Sequence, residues 1–95
     1  MFWKKQNAQQ EVKTGRFELE RDGQIAYLEY TLAGDVLGLM HSEVPPDLRG
    51  HGVASSLAHT ALEWARENGK RVDVICPLVE EYIARHPEYA DLVLK

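Results

Sequence analysis

The chain has 95 residues, a length that allows one domain, and its hydrophobic content of 44% and charged content of 27% exclude a disordered chain, a collagen-like chain and a coiled coil. It contains no run of about 18 apolar residues, so we expect no membrane span. The single cysteine, Cys76, excludes an internal disulfide and a cysteine-based zinc site, and its presence favours the reducing cytoplasm.

Charge is unevenly distributed along the chain. Residues 1–16 carry four basic side chains and one acidic one, whereas residues 17–95 carry seven basic and fourteen acidic ones, a balance of −7. An acidic body disfavours a nucleic-acid partner, which needs clustered Lys and Arg, and is compatible with a cationic or amine substrate. Residues 1–13 are polar without a clear period, so we expect a flexible N-terminal arm followed by a single domain over residues 14–95.

Three β-strands are predicted in the first half of the domain. Apolar and charged side chains alternate over residues 14–21, which is typical of a half-buried strand. Asp22-Gly23 is a strong hairpin signal, and residues 24–32 form the return strand. Residues 36–44 predict a third strand, and the short connections predict that all three pair in an antiparallel meander.

The second half of the domain is predicted to contain two helices and one strand. Apolar residues at a period of 3.6 predict a helix over residues 53–67. Residues 71–76 predict a short strand that pairs locally in parallel, and a short helix begins at Pro77 and ends before Pro87. The predicted class is α+β: an antiparallel β-meander followed by a helix, a short strand and a short helix.

The most specific motif is the glycine-rich turn Arg49-Gly50-His51-Gly52-Val53-Ala54, which leads into the first helix. Its glycines let main-chain N–H groups approach a ligand, and the positive end of the helix suits phosphate. The Gly-Lys-Ser/Thr of a Walker loop is absent, and a dinucleotide fingerprint needs three spaced glycines in a longer fold. A purely structural turn explains the same residues, so the turn alone leaves the function open.

In its context, the motif Arg49-x-x-Gly52-x-Ala54 resembles the acyl-CoA signature of the GNAT superfamily of N-acyltransferases. A closer resemblance, to the small single-domain branch of that superfamily, rests on the sequences MHSEVPPDLRGHGVA, CPLVEEY and RHPEY and covers roughly residues 15–90. It implies a GNAT-like fold, acetyl-CoA or CoA as co-substrate and an amine acceptor. The chain lacks the N-terminal helices that usually shape the acceptor pocket, so the acceptor stays undefined.

The resemblance also implies binding roles for particular residues. The amides at the helix start would hold the CoA pyrophosphate, and the preceding strand at Glu43–Val44 would pair with the pantetheine arm. The residues implied to bind the co-substrate are Val44, Arg49, Gly50, His51, Gly52, Val53, Ala54 and Ser55. No metal is expected, because His51 and His59 have no cysteine pair or carboxylate cluster beside them.

Three residues are candidates for catalysis. Cys76 directly precedes a predicted helix start, which stabilises a thiolate, and the small GNAT-like branch carries a candidate acyl acceptor here. The alternative is an inert core cysteine. His41 and Glu43 share one face of the third strand and are candidate general bases, or merely exposed edge residues. Tyr82 lies roughly where longer GNAT enzymes place an acid, but it also fits the apolar stripe of its helix.

Together these observations predict a GNAT-like N-acetyltransferase that moves an acetyl group from acetyl-CoA to an amine, directly or through Cys76. One alternative is a CoA-binding or regulatory module with little catalysis, suggested by the short acceptor side. Another is a partner-binding adaptor that uses the acidic body and the basic arm. Oligomeric state is left open.

Overall fold

The computed structural model describes residues 12–94, and its elements follow the predicted order. The elements are β1 (Lys13–Arg21), β2 (Gln24–Ala33), β3 (Val36–Glu43), a 3₁₀ helix (Pro46–Leu48), α1 (Val53–Glu67), β4 (Arg71–Val74), α2 (Pro77–Arg85) and a second 3₁₀ helix (Pro87–Leu92). The predicted arm lies outside the described residues except for Val12 and Lys13. Lys13 already pairs with Leu32, so the sheet begins one residue earlier than predicted.

The four strands form one mixed sheet in the order β1-β2-β3-β4. β1 pairs with β2 and β2 with β3 in antiparallel fashion, whereas β3 and β4 are parallel. The hairpin at Asp22 and Gly23 is confirmed, with positive φ angles of 54° and 76° that match a tight two-residue turn. The parallel pairing follows because α1 crosses between β3 and β4 and returns the chain in the same direction.

One face of the sheet packs against α1. The helix turns small and branched apolar side chains inward, among them Leu57, Ala61 and Leu62, all at most 2% exposed. They meet Leu28 and Leu39 from the sheet, which are fully buried. This apolar layer is the core of the domain and fixes where the helix begins relative to the end of β3. Within residues 12–94, no helix has the length and apolar character needed to span a bilayer.

The other side of the sheet is called the open face below. Its side chains come from the alternate positions of β1, β2 and β3, and they are exposed or half-buried. They include Arg16, Glu18, Tyr27, Glu29, Thr31, Met40, His41 and Glu43.

A hydrogen-bonded cluster holds the second 3₁₀ helix to α1. The Tyr89 hydroxyl donates to the Glu63 carboxylate at 2.5 Å and lies 3.1 Å from His59 Nδ1. Arg66 adds two hydrogen bonds to the Asp91 carboxylate, at 3.0 and 3.2 Å. Because Tyr89 is 4% exposed, this cluster closes the core where the chain leaves α2.

The cluster predicts a specific loss of stability at high pH. The hydrogen bond to Glu63, together with burial, raises the pKa of Tyr89 from 10.0 to about 12. The protonated phenol therefore stabilises the fold fully below pH 10, and this contribution is lost as the pH rises toward 12. Denaturant unfolding should show a steeper fall in stability between pH 10 and 12 for the wild type than for Tyr89→Phe or Glu63→Gln. Parallel pH profiles for the three proteins would contradict the assignment.

Candidate active site

The strands β3 and β4 separate halfway along β3. Their pairing covers only Val36–Leu39 and Arg71–Val74. At this point the carbonyl of Leu39 accepts hydrogen bonds from both Ile75 N and Cys76 N, at 3.0 and 2.9 Å. The chain then turns into α2, while β3 continues with β2 as its strand neighbour. A gap therefore opens beside the second half of β3.

A β-bulge coincides with this gap. In the pairing of β2 with β3, Glu29 lies opposite His41 and Tyr30 lies opposite Leu39, so Met40 is the extra residue. Bulges bend a strand and redirect its side chains. Beyond the bulge, the register places His41 and Glu43 on the open face.

A cleft of about 390 Å³ lies between the end of β3 and the start of α1. The lining residues are Val44, Leu48, Arg49, Gly50, Gly52, Val53, Ala54, Ser55 and Leu78. Seven of the eight residues expected to bind the co-substrate are thus brought together, whereas His51 is exposed and does not line the cleft. Leu48 and Leu78 form apolar walls that the sequence analysis missed, although Leu48 is an apolar residue within a polar turn.

The floor of the cleft is built for an anion. Gly50 and Gly52 have φ angles of 82° and 76°, and Gly52 is the N-cap of α1, so no side chain caps the helix. The first helical hydrogen bond runs from Ser56 N to the Gly52 carbonyl. The N–H groups of Val53, Ala54 and Ser55 therefore have no acceptor within the helix. Exposed N–H groups at the positive end of a helix stabilise phosphate oxygens.

Arg49 connects the two sides of the cleft. Its Nε donates a hydrogen bond of 3.0 Å to the carbonyl of Val44, just beyond the end of β3. The guanidinium is therefore held at the cleft by a main-chain contact, and its charge adds to the positive end of α1. The main-chain N–H groups and the guanidinium together form a donor set that suits a phosphate or pyrophosphate group.

His41 and Glu43 form a pair on the open face. His41 Nε2 and Glu43 Oε2 are 2.8 Å apart, and the two side chains are 56% and 54% exposed. A carboxylate that is hydrogen-bonded to an imidazole orients the ring. Both side chains are thus accessible to solvent.

Cys76 lies where β3 and β4 separate, and both Cys76 and Tyr82 are buried. Cys76 is the N-cap of α2 and is 2% exposed, and its thiol donates to the Ser42 hydroxyl at 3.4 Å. Tyr82 is 6% exposed and its hydroxyl lies 3.4 Å from His59 Nδ1. Burial raises the pKa of Tyr82. Tyr82 therefore packs in the core, as its apolar stripe indicated.

Metal ligation has no support in the described part of the chain. Among residues 12–94, no three His, Cys, Asp or Glu side chains are grouped closely enough to hold an ion.

Comparison with known proteins identifies the class. The family of GCN5-related N-acetyltransferases matches residues 16–92, and the chain belongs to that family. Protein NATD1 from Bos taurus is 35% identical over 63 residues, covering 65% of this chain and 56% of that protein. Its Homo sapiens counterpart is 33% identical with the same coverage. The chain thus aligns with little more than half of these relatives.

A solved structure supports the fold. A protein from Agrobacterium tumefaciens, provisionally described as an acetyltransferase, superposes with a TM-score of 0.56 at 22% sequence identity. The superposed region covers 84% of this chain and 60% of the Agrobacterium chain. The predicted GNAT-like α+β fold is confirmed.

The left-handed glycine at the cleft predicts a measurable conformational cost. A side chain at Gly52 would project into open space, because no atom lies within 4 Å of the point that its Cβ would occupy, yet its φ of 76° strains most residues. Gly52→Ala should therefore reduce the free energy of unfolding by about 1–2 kcal/mol. Gly52→Asn should cost less, because asparagine tolerates this region. Equal losses in urea unfolding would contradict a conformational origin.

Proposed function

We propose that the chain is an N-acetyltransferase that binds acetyl-CoA and transfers the acetyl group to an amine. The observation that carries this proposal is the anion cradle at the start of α1, which follows the part of β3 that is no longer paired with β4 and that bears the His41–Glu43 pair. Family membership supports the same reaction class. The unpaired Cys76 thiol suits a reducing cytoplasmic location.

In this proposal the cleft residues bind the nucleotide end of the co-substrate. The N–H groups of Val53–Ser55 and the Arg49 guanidinium would neutralise the pyrophosphate. The main chain at Glu43–Val44 would pair with the pantetheine arm along the edge of β3 that β4 leaves. Leu48 and Leu78 would contact its apolar atoms. The thioester end would then reach the gap beside Met40.

Direct transfer needs a base because an ammonium group is not nucleophilic. His41, oriented by Glu43, would take one proton from the acceptor. The amine nitrogen then forms a bond to the acetyl carbon while the carbon–sulfur bond breaks. The nitrogen loses two protons in all, the one taken by His41 and one more after the bond to carbon forms. One of the two ends on the departing CoA sulfur and the other goes to solvent, which leaves an amide and free CoA.

A route through Cys76 is the second candidate. Its thiol lies at the base of the gap, at the N-terminus of α2. In that route the Cys76 sulfur bonds to the acetyl carbon while the carbon–sulfur bond to CoA breaks, and the thiol proton passes to the CoA sulfur. The amine then bonds to the acetyl carbon while the bond to the Cys76 sulfur breaks, and that sulfur regains a proton from the amine. We favour direct transfer because Cys76 is 2% exposed and hydrogen-bonded to Ser42, whereas His41 is open to an acceptor.

A CoA-binding module without catalysis is favoured by one observation. The His41–Glu43 pair is more than half exposed, and water has access to it. Release of free CoA thiol in the presence of amines separates the two functions, because a binding module releases none.

A charge placed in the cradle should abolish binding without harming the fold. Ser55 is in the first turn of α1, where an acidic residue is favourable for the helix but repels phosphate. For the wild type, CoA at a hundredfold excess over Kd should stabilise the fold by about 2.7 kcal/mol. Without CoA, Ser55→Asp should melt at the temperature of the wild type. With CoA, Ser55→Asp should lose the stabilisation, whereas the uncharged Ser55→Asn should keep most of it. A CoA shift of wild-type size in Ser55→Asp would contradict the cradle.

Two substitutions distinguish the transfer routes. His41→Ala should lower kcat about a hundredfold, because the acceptor then has no side chain to take its proton. Cys76→Ala should retain acetyl transfer, and intact-protein mass spectrometry after exposure to acetyl-CoA should show no acetyl adduct. An adduct on Cys76 together with an inactive Cys76→Ala would overturn direct transfer in favour of the covalent route.

A further inference from the structure

Two exposed apolar side chains lie where the gap between β3 and β4 begins. Ile75 is 52% exposed and Met40 is 39% exposed. Ile75 N donates to the Leu39 carbonyl at 3.0 Å, and Met40 follows Leu39 along β3. The main chains of Ile75 and Met40 are therefore neighbours at the point where the strands separate. Core packing does not account for either side chain, because each is more than a third exposed.

The register places both side chains on the open face. Gly38 is opposite Thr31 on one side and opposite Asp73 on the other. Ile75 follows Asp73 by two residues, so the alternation of β4 directs it to the face of Asp73. The Met40 sulfur lies 3.3 Å from the point that a Cβ on Gly38 would occupy, so Met40 covers this glycine on the same face. Ile75 and Met40 are called the apolar pair below.

The apolar pair adjoins the place that the proposed function gives to the reacting group. There the thioester end of the co-substrate reaches the gap beside Met40, and the acyl chain extends from the thioester carbon. A thioether is a flexible apolar surface that adapts to a methylene chain, and Ile75 adds a branched one. A chain longer than acetyl would remove apolar surface of both side chains from water, which is favourable in proportion to the area covered.

We propose that the apolar pair is an acyl-chain subsite and that the protein takes unbranched acyl groups longer than acetyl, with propionyl and butyryl as examples. The inference rests on the proposed acetyl transfer and names its acyl substrate class. The amine nitrogen bonds to the acyl carbon while the carbon–sulfur bond breaks, and the two protons go to the CoA sulfur and to solvent, as for acetyl. Chain length changes only the contact with the apolar pair.

Binding of acyl-CoA thioesters without an acceptor tests the subsite. Full burial of one methylene is worth a factor of about four in affinity. Because the apolar pair covers the chain on one side only, the two extra methylenes of butyryl-CoA should together lower Kd about fourfold relative to acetyl-CoA. Isothermal titration calorimetry with CoA, acetyl-CoA and butyryl-CoA measures this preference. Ile75→Ser should remove most of it and leave the Kd of CoA unchanged.

Ile25→Ser is the matched control, because Ile25 is exposed to a similar extent, 47%, on β2. Its distance from the gap follows from the register: Tyr30 is the partner of Leu39, and Ile25 lies five residues from Tyr30 along β2, a separation of about 17 Å. Ile25→Ser should keep the preference for butyryl-CoA at the wild-type level.

The methyl group of Met40 gives a second, direct readout. Its NMR resonance is identified as the one that disappears in Met40→Leu. In the wild type, this resonance should move further with butyryl-CoA than with acetyl-CoA, because the longer chain reaches the thioether. Equal shifts with the two thioesters would contradict the subsite.

The outcomes separate this inference from the proposed function. Binding of CoA together with a butyryl-CoA Kd equal to or above that of acetyl-CoA would overturn the subsite alone. A preference that Ile75→Ser leaves intact, or that Ile25→Ser removes equally, would overturn it as well. A change in sedimentation coefficient in Ile75→Ser without a change in preference would assign the pair to a contact between copies of the chain and overturn the subsite. Absence of CoA binding in the wild type would overturn the proposed function together with the subsite.

Discussion

The site depends on the short parallel pairing between β3 and β4. Four residue pairs join the two strands, and the Leu39 carbonyl then accepts both Ile75 N and Cys76 N, which ends the ladder. If the pairing continued, the edge of β3 would be filled by its neighbour and Cys76 would lie within a strand. Because it stops, the second half of β3 offers an edge, α2 starts beside it, and the cleft under α1 opens toward the same gap.

The bulge at Met40 changes which face of the sheet the following side chains of β3 occupy. Before it, Leu39 belongs to the core beneath α1. After it, His41 and Glu43 emerge on the open face while Ser42 contacts Cys76. One extra residue therefore places the candidate base pair on the open face while Ser42 stays on the core face beside Cys76. In the proposed function, the gap is where the co-substrate and the acceptor meet.

Local sequence signals predict the elements well because those signals are short-range. The 3.6-residue period of 53–67 defines α1 to the residue, and Asp22-Gly23 sets the hairpin. The cradle at Gly52 follows from the same local pattern. The bulge at Met40 does not, because a bulge is a mismatch of register between two strands and depends on the partner. The Tyr89–Glu63 hydrogen bond joins residues 26 positions apart, so no local sequence pattern predicts it.

The central claim is that the cleft between β3 and α1 binds CoA. A titration of CoA into isotopically labelled protein, followed by amide NMR, tests it most directly, because each N–H group reports on its own surroundings. If CoA binds in the cleft, the largest shifts should occur at Val53, Ala54 and Ser55, with a second set at Glu43 and Val44 along the free edge of β3. Shifts confined to β1 and β2, or no shifts at millimolar CoA, would contradict it.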